Sequence, residues 1–386
     1  MPHNPSETLA KKEIWRFVVT TPQRVLVVGC GKMGSSHALA YHGMKDFKIV
    51  GLVSRGPKTR ETLNQRLGGN YELFSNFEPA LEITKPDVVS INTYPDTHEA
   101  YAVSALKTGA HVFLEKPVAP TIEGCRHVIQ AARSANRKLV VGYILRHHPS
   151  WIKFIEIART LGKPLVMRMN LNQQSEGEAW ETHKNIMKST SPVVDCGVHY
   201  VDVMCQMTGA APIRVSAIGA RLSEELSTAM YNYGQLQITF DDGSVGWYEV
   251  GWGPMMSETA FFVKDVIGPK GSVSIVASKA GAESQSDNVE AHTKTESLRI
   301  HYGDIDSSNR FVHKDDVIDL GDEPDHIELC RREQQYLLKA IQEDLDLTLH
   351  MNSALNSLRI VLAADESVKS GKTVELRRSR CPGNSA

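Results

Sequence analysis

The stretch VVDCGVHYVD at residues 193–202 carries Asp195, His199 and Asp202 inside an otherwise apolar run. In a helix these spacings of four and three put all three side chains on one face. Such a row suits a metal site, a general acid/base, or a satisfied core histidine. A second candidate lies upstream, where Gly29-Cys30-Gly31-Lys32-Met33-Gly34 follows the β-rich run RVLVVG and precedes a helical stretch. There Gly29 permits a tight turn, Gly31 lets the backbone approach a pyrophosphate, and Gly34 allows close helix-to-strand packing, with phosphates at the positive helix end. All six residues are therefore expected to line a dinucleotide site.

The second strand, KIVGLV, ends in Ser54-Arg55 rather than in an acidic residue. A carboxylate there reads the ribose 2′-hydroxyl of NAD, so its absence, with Arg55, Lys58 and Arg60 close by, favours NADP over NAD. Ligands of open α/β sheets sit beyond the carboxyl ends of the strands. Two later strand ends should reach the same crevice, the fourth with Thr93, Tyr94, Pro95 and His98, the fifth with Glu115-Lys116-Pro117. A lysine at a buried strand end needs a reason. Held by Glu115, Lys116 can act as proton donor or electrostatic clamp.

The elements that must position these residues are legible as alternation. From Arg24 to about Ile144, short Val- and Ile-rich runs alternate with amphipathic stretches, which predicts βαβ units and a parallel doubly wound sheet. After PSWIKFIEIARTLG, strands follow one another through turns such as Asp242-Gly243 and Pro269-Lys270-Gly271, which predicts a mostly antiparallel sheet with one face covered by the helix carrying VVDCGVHYVD. Residues 278–310 read as a loop or hairpin excursion. Two helical stretches then close the fold. The expected division is an extension over 1–22, a dinucleotide domain over 23–145, a second domain over 146–376, and a tail over 377–386.

A chain of 386 residues exceeds a single core, and 41% hydrophobic with 23% charged residues is ordinary globular composition. A formal net charge of −2 gives no reason to bind nucleic acid or a membrane surface. MPHNPSETLAKKEIWRF lacks a basic start followed by an apolar stretch, so a cytoplasmic location is expected. The six cysteines are scattered without a CxxC pair and are expected to be reduced. No HExxH or clustered Cys/His spacing appears, and no required metal is expected.

In order, GCGKMG, NTYPDTH, HVFLEKPVA and VVDCGVHYVD resemble the Gfo/Idh/MocA family, from about Arg24 to about Leu376. The resemblance implies a Rossmann domain followed by an α/β domain whose open sheet often serves as an oligomer interface. It also implies NAD(P)-linked redox chemistry on sugars, cyclitols and related polyols. Lys116 matches the lysine of the family's Glu-Lys-Pro motif, Asp195 and His199 the pair of its second motif, and Arg146 an arginine near the nicotinamide. Trp180 and His183 fall near the substrate mouth. One departure is Ser189-Thr190-Ser191-Pro192-Val193-Val194, where many relatives are glycine-rich, so a substrate does not transfer from any one relative.

The expected chemistry is hydride transfer between nicotinamide and a ring carbon bearing a hydroxyl or ketone. His199, with an imidazole pKa near 6.5, shuttles the hydroxyl proton, Lys116 stabilises the substrate oxygen, and Asp195 positions substrate or His199. Asp202 is expected to bond backbone or a helix neighbour. The competing readings are a glycosidase that oxidises, eliminates and re-reduces at the same site, and a dinucleotide-sensing regulator without catalysis.

Overall fold

Six strands, β1 (Gln23–Val28), β2 (Phe47–Val53), β3 (Leu73–Phe74), β4 (Val88–Ile91), β5 (His111–Leu114) and β6 (Leu139–Val141), pair in parallel in the order β3-β2-β1-β4-β5-β6. The structure is a computed structural model that describes residues 21–257, 263–276, 286, 293 and 295–376. Every residue of β4 is buried, as a strand covered on both faces requires. The intervening helices are α1 (Lys32–His42), α2 (Pro57–Arg66), α3 (Phe77–Thr84), α4 (Pro95–Lys107) and α5 (Ile122–Ala135). Thr121 caps α5 by accepting from the Gly124 N–H, and Asn136 ends it in the left-handed conformation. Strand order reverses between β1 and β4, which opens a crevice above their carboxyl ends.

A 3₁₀ turn (Ile144–His147) and α6 (Pro149–Thr160) lead to a second sheet. Its strands are β7 (Val166–Gln174), β8 (Pro212–Ala220), β9 (Tyr233–Phe240), β10 (Val245–Gly253), β11 (Lys264–Gly268), β12 (Gly271–Val276), β13 (Ser297–Tyr302), β14 (Asp316–Asp319) and β15 (Val374–Glu375). They run in the order β14-β13-β12-β11-β7-β10-β9-β8-β15, antiparallel except where β7 meets β10. Along β9, buried Leu236, Ile238 and Phe240 alternate with the less buried Gln235, Gln237 and Thr239, the period-2 pattern of a sheet with one covered face. The cover comes from α6, α8 (Pro192–Asp195), α9 (Gly197–Thr208) and α11 (Thr348–Ser370), while α7 (Gly177–Ile186) packs on β10. Between them in sequence, α10 (His326–Gln342) packs on α1, so the last helices tie the two sheets together.

Within the expected loop or hairpin excursion, residues 297–302 form β13 antiparallel to β12, with Leu298 packed into the core and Arg299 turned outward. The rest of that excursion lies largely outside the described residues, as do residues 1–20 and 377–386. VVDCGVHYVD is not one helix. Cys196 separates α8 from α9, and the His199 N–H bonds the Cys196 carbonyl three residues back, so Asp195 and His199 do not share one continuous helical face.

Candidate active site

The site begins with the turn after β1. Gly29 has φ +93°, and a Cβ there would lie 2.4 Å from the Asn92 carbonyl oxygen. A Cβ on Gly34 would come within 1.8 Å of the Gly29 oxygen, so only glycine lets the helix meet the strand. Around Gly31, by contrast, nothing lies within 4 Å of the Cβ position. Gly31 is also the N-cap of α1, whose start has no side-chain cap and no acidic residue in the first turn. The uncapped first turn of α1 therefore borders the open space at Gly31, and the cradle fits a diphosphate. Cys30 contributes backbone, since its buried thiol faces the Val53 carbonyl and burial pushes its pKa up to about 12.

Beyond β2, Ser54 Oγ lies 3.0 Å from Thr59 Oγ1, and Arg60 Nη1 donates to the Ser54 carbonyl at 2.7 Å. Arg55 and Lys58 are exposed, so Arg60 is the cation with a fixed position. After β4, Thr93 is half-buried, Tyr94 is exposed, and Pro95 starts α4. His98 corrects an expectation. It is fully buried, with ring nitrogens 2.8 Å from the Pro117 carbonyl and 2.9 Å from that of Thr93, so it ties two loops together and has no ring nitrogen left for a cofactor.

At the end of β5, Lys116 Nζ donates to the Asp195 carbonyl at 2.9 Å and to Asp195 Oδ1 at 3.1 Å. Burial pulls the lysine pKa down, but the Asp195 carboxylate, with Cys196 and Glu115, outweighs it, and Lys116 stays charged. Glu115 accepts the Lys116 N–H on Oε2 and faces His37 Nε2 at 2.8 Å on Oε1. Burial pushes the Glu115 carboxyl up, yet His37 and Lys116 hold it at about 2.

His199 stands edge-on to Tyr143, ring centroids 5.9 Å apart. Its Nδ1 is buried without a partner while the residue as a whole is half-buried, which leaves Nε2 as the nitrogen on the open side. Burial first and Lys116 second pull its pKa to about 4, well below the expected 6.5. His183 stacks on Trp252 at 4.4 Å and meets Ser175 Oγ through Nδ1 at 2.9 Å. Burial pulls its pKa down to about 4. Trp180 instead donates to Glu225 at 3.1 Å.

Arg146 is the second correction. Its Nε donates to Asp202 Oδ2 at 2.8 Å, its Nη2 to Oδ1, and its Nη1 lies 3.1 Å from His350. Asp202 is 1% exposed and also accepts from Gln206 and Ser357. The guanidinium is thus committed to a buried ion pair and supports the site through Tyr143, whose ring lies 4.7 Å beneath it. Sequence reasoning missed Tyr143, Trp252, Gln173, whose Oε1 accepts from Trp252 Nε1 at 2.6 Å, and His37. Only His37 carried a signal, as a polar residue on the buried side of the helix that follows the glycine turn.

The conserved profiles of one family match nearly the whole described chain, its NAD-binding Rossmann fold over residues 23–143 and its C-terminal alpha/beta domain over residues 156–376. The chain belongs to the Gfo/Idh/MocA oxidoreductase family. Within it, the chain is 24% identical to an inositol 2-dehydrogenase of Ralstonia nicotianae over 206 residues, 52% of this chain and 59% of that protein. It is 25% identical to an inositol 2-dehydrogenase of Klebsiella pneumoniae over 182 residues, 46% of this chain and 52% of that protein. The matches thus span little more than half of these curated relatives. Among solved Gfo/Idh/MocA folds, scyllo-inositol dehydrogenase from Lactobacillus casei, with bound NAD(H) and scyllo-inositol, superposes with TM-score 0.71 at 19% identity, covering 92% of this chain and 99% of that one. The aldose-aldose oxidoreductase of Caulobacter crescentus, complexed with glycerol, gives 0.73 at 19% identity over 92% and 100%. No helix among the described residues is long and apolar enough to cross a membrane.

Proposed function

We propose that this protein transfers a hydride between a nicotinamide dinucleotide and a ring carbinol or ketone of a sugar or cyclitol. The observation that carries the reading is the charged Lys116–Asp195 pair beside a neutral His199, at the edge of the same parallel sheet that bears the Gly31 cradle. The dinucleotide, held by the turn from Gly29 to Gly34 and flanked by Thr93, Tyr94 and Pro95, supplies the hydride acceptor or donor. Everything else falls to the chain's own side chains.

In the oxidative direction His199 Nε2 accepts the substrate hydroxyl proton, with Nδ1 keeping the resting hydrogen. A pKa near 4 keeps the ring neutral and ready as a base at pH 7. Lys116 Nζ donates to the same oxygen and stabilises the negative charge that develops there. Asp195 aims Lys116, and Glu115 fixes the lysine's backbone from the other side. In reduction the same proton returns from His199. Relatives named inositol 2-dehydrogenase support a cyclitol among the substrates.

NADP is the proposed preference, because β2 ends in Ser54 without a carboxylate and Arg60 stands fixed beside it. Assembly into a homo-oligomer through the open face of the second sheet is supported by exposed Ile218, Val245, Ile267 and Val317 on its strands. The test of the reading is a panel of sugars, inositols, sugar phosphates and nucleotide sugars assayed with NAD and NADP in both directions by nicotinamide absorbance. Turnover with a cyclitol or sugar is the expected result. Aglycone release from a glycoside without accumulating reduced cofactor would replace it with the oxidation-elimination glycosidase.

A further inference from the structure

One face of α10 bears His326, Cys330 and Glu333 at i, i+4 and i+7, three ligand-type side chains aimed at α1. Across from them stands His37. Donor atoms of His37, Cys330 and Glu333 all lie within 4.8 Å of one another, and the three residues are at most 1% exposed. Glu333 Oε1 is buried with no hydrogen-bond partner, an arrangement proteins avoid unless the group has something to bind. His326, half-buried at the rim, brings Nε2 within 3.6 Å of Cys330 Sγ, and its own Nδ1 also lacks a partner.

We propose that His37, Cys330 and Glu333, with His326 at the entrance, form a binding site for a divalent zinc-like cation that bolts α10 to α1. Thiolate, carboxylate and imidazole together select a borderline ion such as Zn²⁺ over Mg²⁺ or Ca²⁺, which prefer all-oxygen shells. One thiolate and one carboxylate balance a divalent charge, so the filled site is neutral and suited to burial. His37 also has the second-shell partner that ligating histidines use, since its Nε2 is held by Glu115 at 2.8 Å, leaving Nδ1 for the ion. Binding requires that the Gln334 amide, 3.0 Å from His37 Nδ1, turns away and that the donor atoms, within 4.8 Å of one another, close on the ion. Binding of the ion displaces the thiol proton and any carboxyl proton of the ligands. Because Glu115 also holds the Lys116 N–H, the ion stiffens the support of the candidate active site from behind. This proposal stands on its own geometry, independent of the reaction.

The test uses the full chain without any polyhistidine tag, stripped by a chelator and titrated with Zn²⁺ against a chromophoric competitor, then with Co²⁺. One ion per chain is expected, with a thiolate-to-cobalt charge-transfer band. Cys330→Ser should abolish the band, Glu333→Gln should weaken affinity by at least ~10-fold, and Cys205→Ser, at the half-buried cysteine away from the cluster, should change neither. Absence of stoichiometric binding, or an unchanged band in Cys330→Ser, overturns the proposal. Should Cys330→Ser fail to fold by circular dichroism, His326→Ala at the rim decides, and unchanged Zn²⁺ affinity there overturns it equally.

Discussion

Lys116 Nζ reaches from the end of β5 to Asp195 Oδ1 at 3.1 Å, joining the parallel sheet to the helices that cover the second sheet. The pair is about one-sixth exposed on each side, which keeps it open to a ligand while most of it is dry. Breaking the pair should therefore act on chemistry as well as on packing.

Removing the lysine charge shifts the pH profile. Lys116 is the second cause, after burial, that depresses His199. Lys116→Met should lower turnover about 10²- to 10³-fold, the usual loss for a preorganised donor to a developing oxyanion. It should also move the acid limb of kcat/KM for oxidation up from about 4 toward the ordinary histidine value. A wild-type limb near 6.5, unmoved in the variant, contradicts this electrostatic account.

His199→Ala removes the base and leaves the cradle intact. Turnover should fall about 10²- to 10⁴-fold while dinucleotide affinity stays within a few-fold. Equilibrium binding by quenching of intrinsic fluorescence separates the two effects, and a parallel loss of both makes His199 a structural residue.

The glycines of the turn should respond in opposite ways. Gly34→Ala meets the Gly29 carbonyl and should destabilise the fold, whereas Gly31→Ala meets no atom and should leave the melting temperature nearly unchanged. It should still weaken dinucleotide binding by at least ~10-fold, about 1.4 kcal/mol, because its methyl occupies the approach of the diphosphate. Unchanged affinity in Gly31→Ala would remove the cradle.

Arg60→Ala tests cofactor preference. A charge-assisted hydrogen bond worth roughly 1.5–3 kcal/mol predicts a ~10- to 100-fold rise in KM for NADP and little change for NAD. Arg55→Ala, at an exposed position, should do less. Equal constants for the two cofactors in wild type, unaltered by either variant, count against NADP.

Acid should destabilise the fold before the ordinary surface carboxylates titrate. His147, His148 and His183 are pulled by burial from 6.5 to about 4, so the unfolded chain binds more protons across that window. Stability is then fully present above 6.5 and lost as pH falls toward 4. The melting temperature should drop by at least ~5 °C from pH 7 to pH 5, given several groups at up to ~1.4 kcal/mol per pH unit each. A flat curve over that range rules this out.

Much of the fold was legible because period and punctuation are local. The all-buried Val and Ile runs, the glycine turn and the alternation along β9 each follow from residues near in sequence. Partner choice is not local. Nothing in GYILRHHPSW says that the Arg146 guanidinium will be consumed by Asp202, 56 residues away, rather than by a cofactor. His98 likewise looked free until the Pro117 carbonyl, 19 residues on, was brought to it. The helix break at Cys196 was hidden for a different reason, since the residue itself keeps helical dihedrals and only the hydrogen-bond register changes.

The central claim is a direct hydride transfer governed by Lys116 and His199. A cyclitol or sugar substrate deuterated at its reacting carbinol carbon, incubated with oxidised NAD(P) and this protein, tests it in one spectrum. The account predicts deuterium at nicotinamide C4, formed by wild type and nearly absent in His199→Ala and Lys116→Met. Product formed with no deuterium on the nicotinamide, or equal transfer by the two variants, would contradict it.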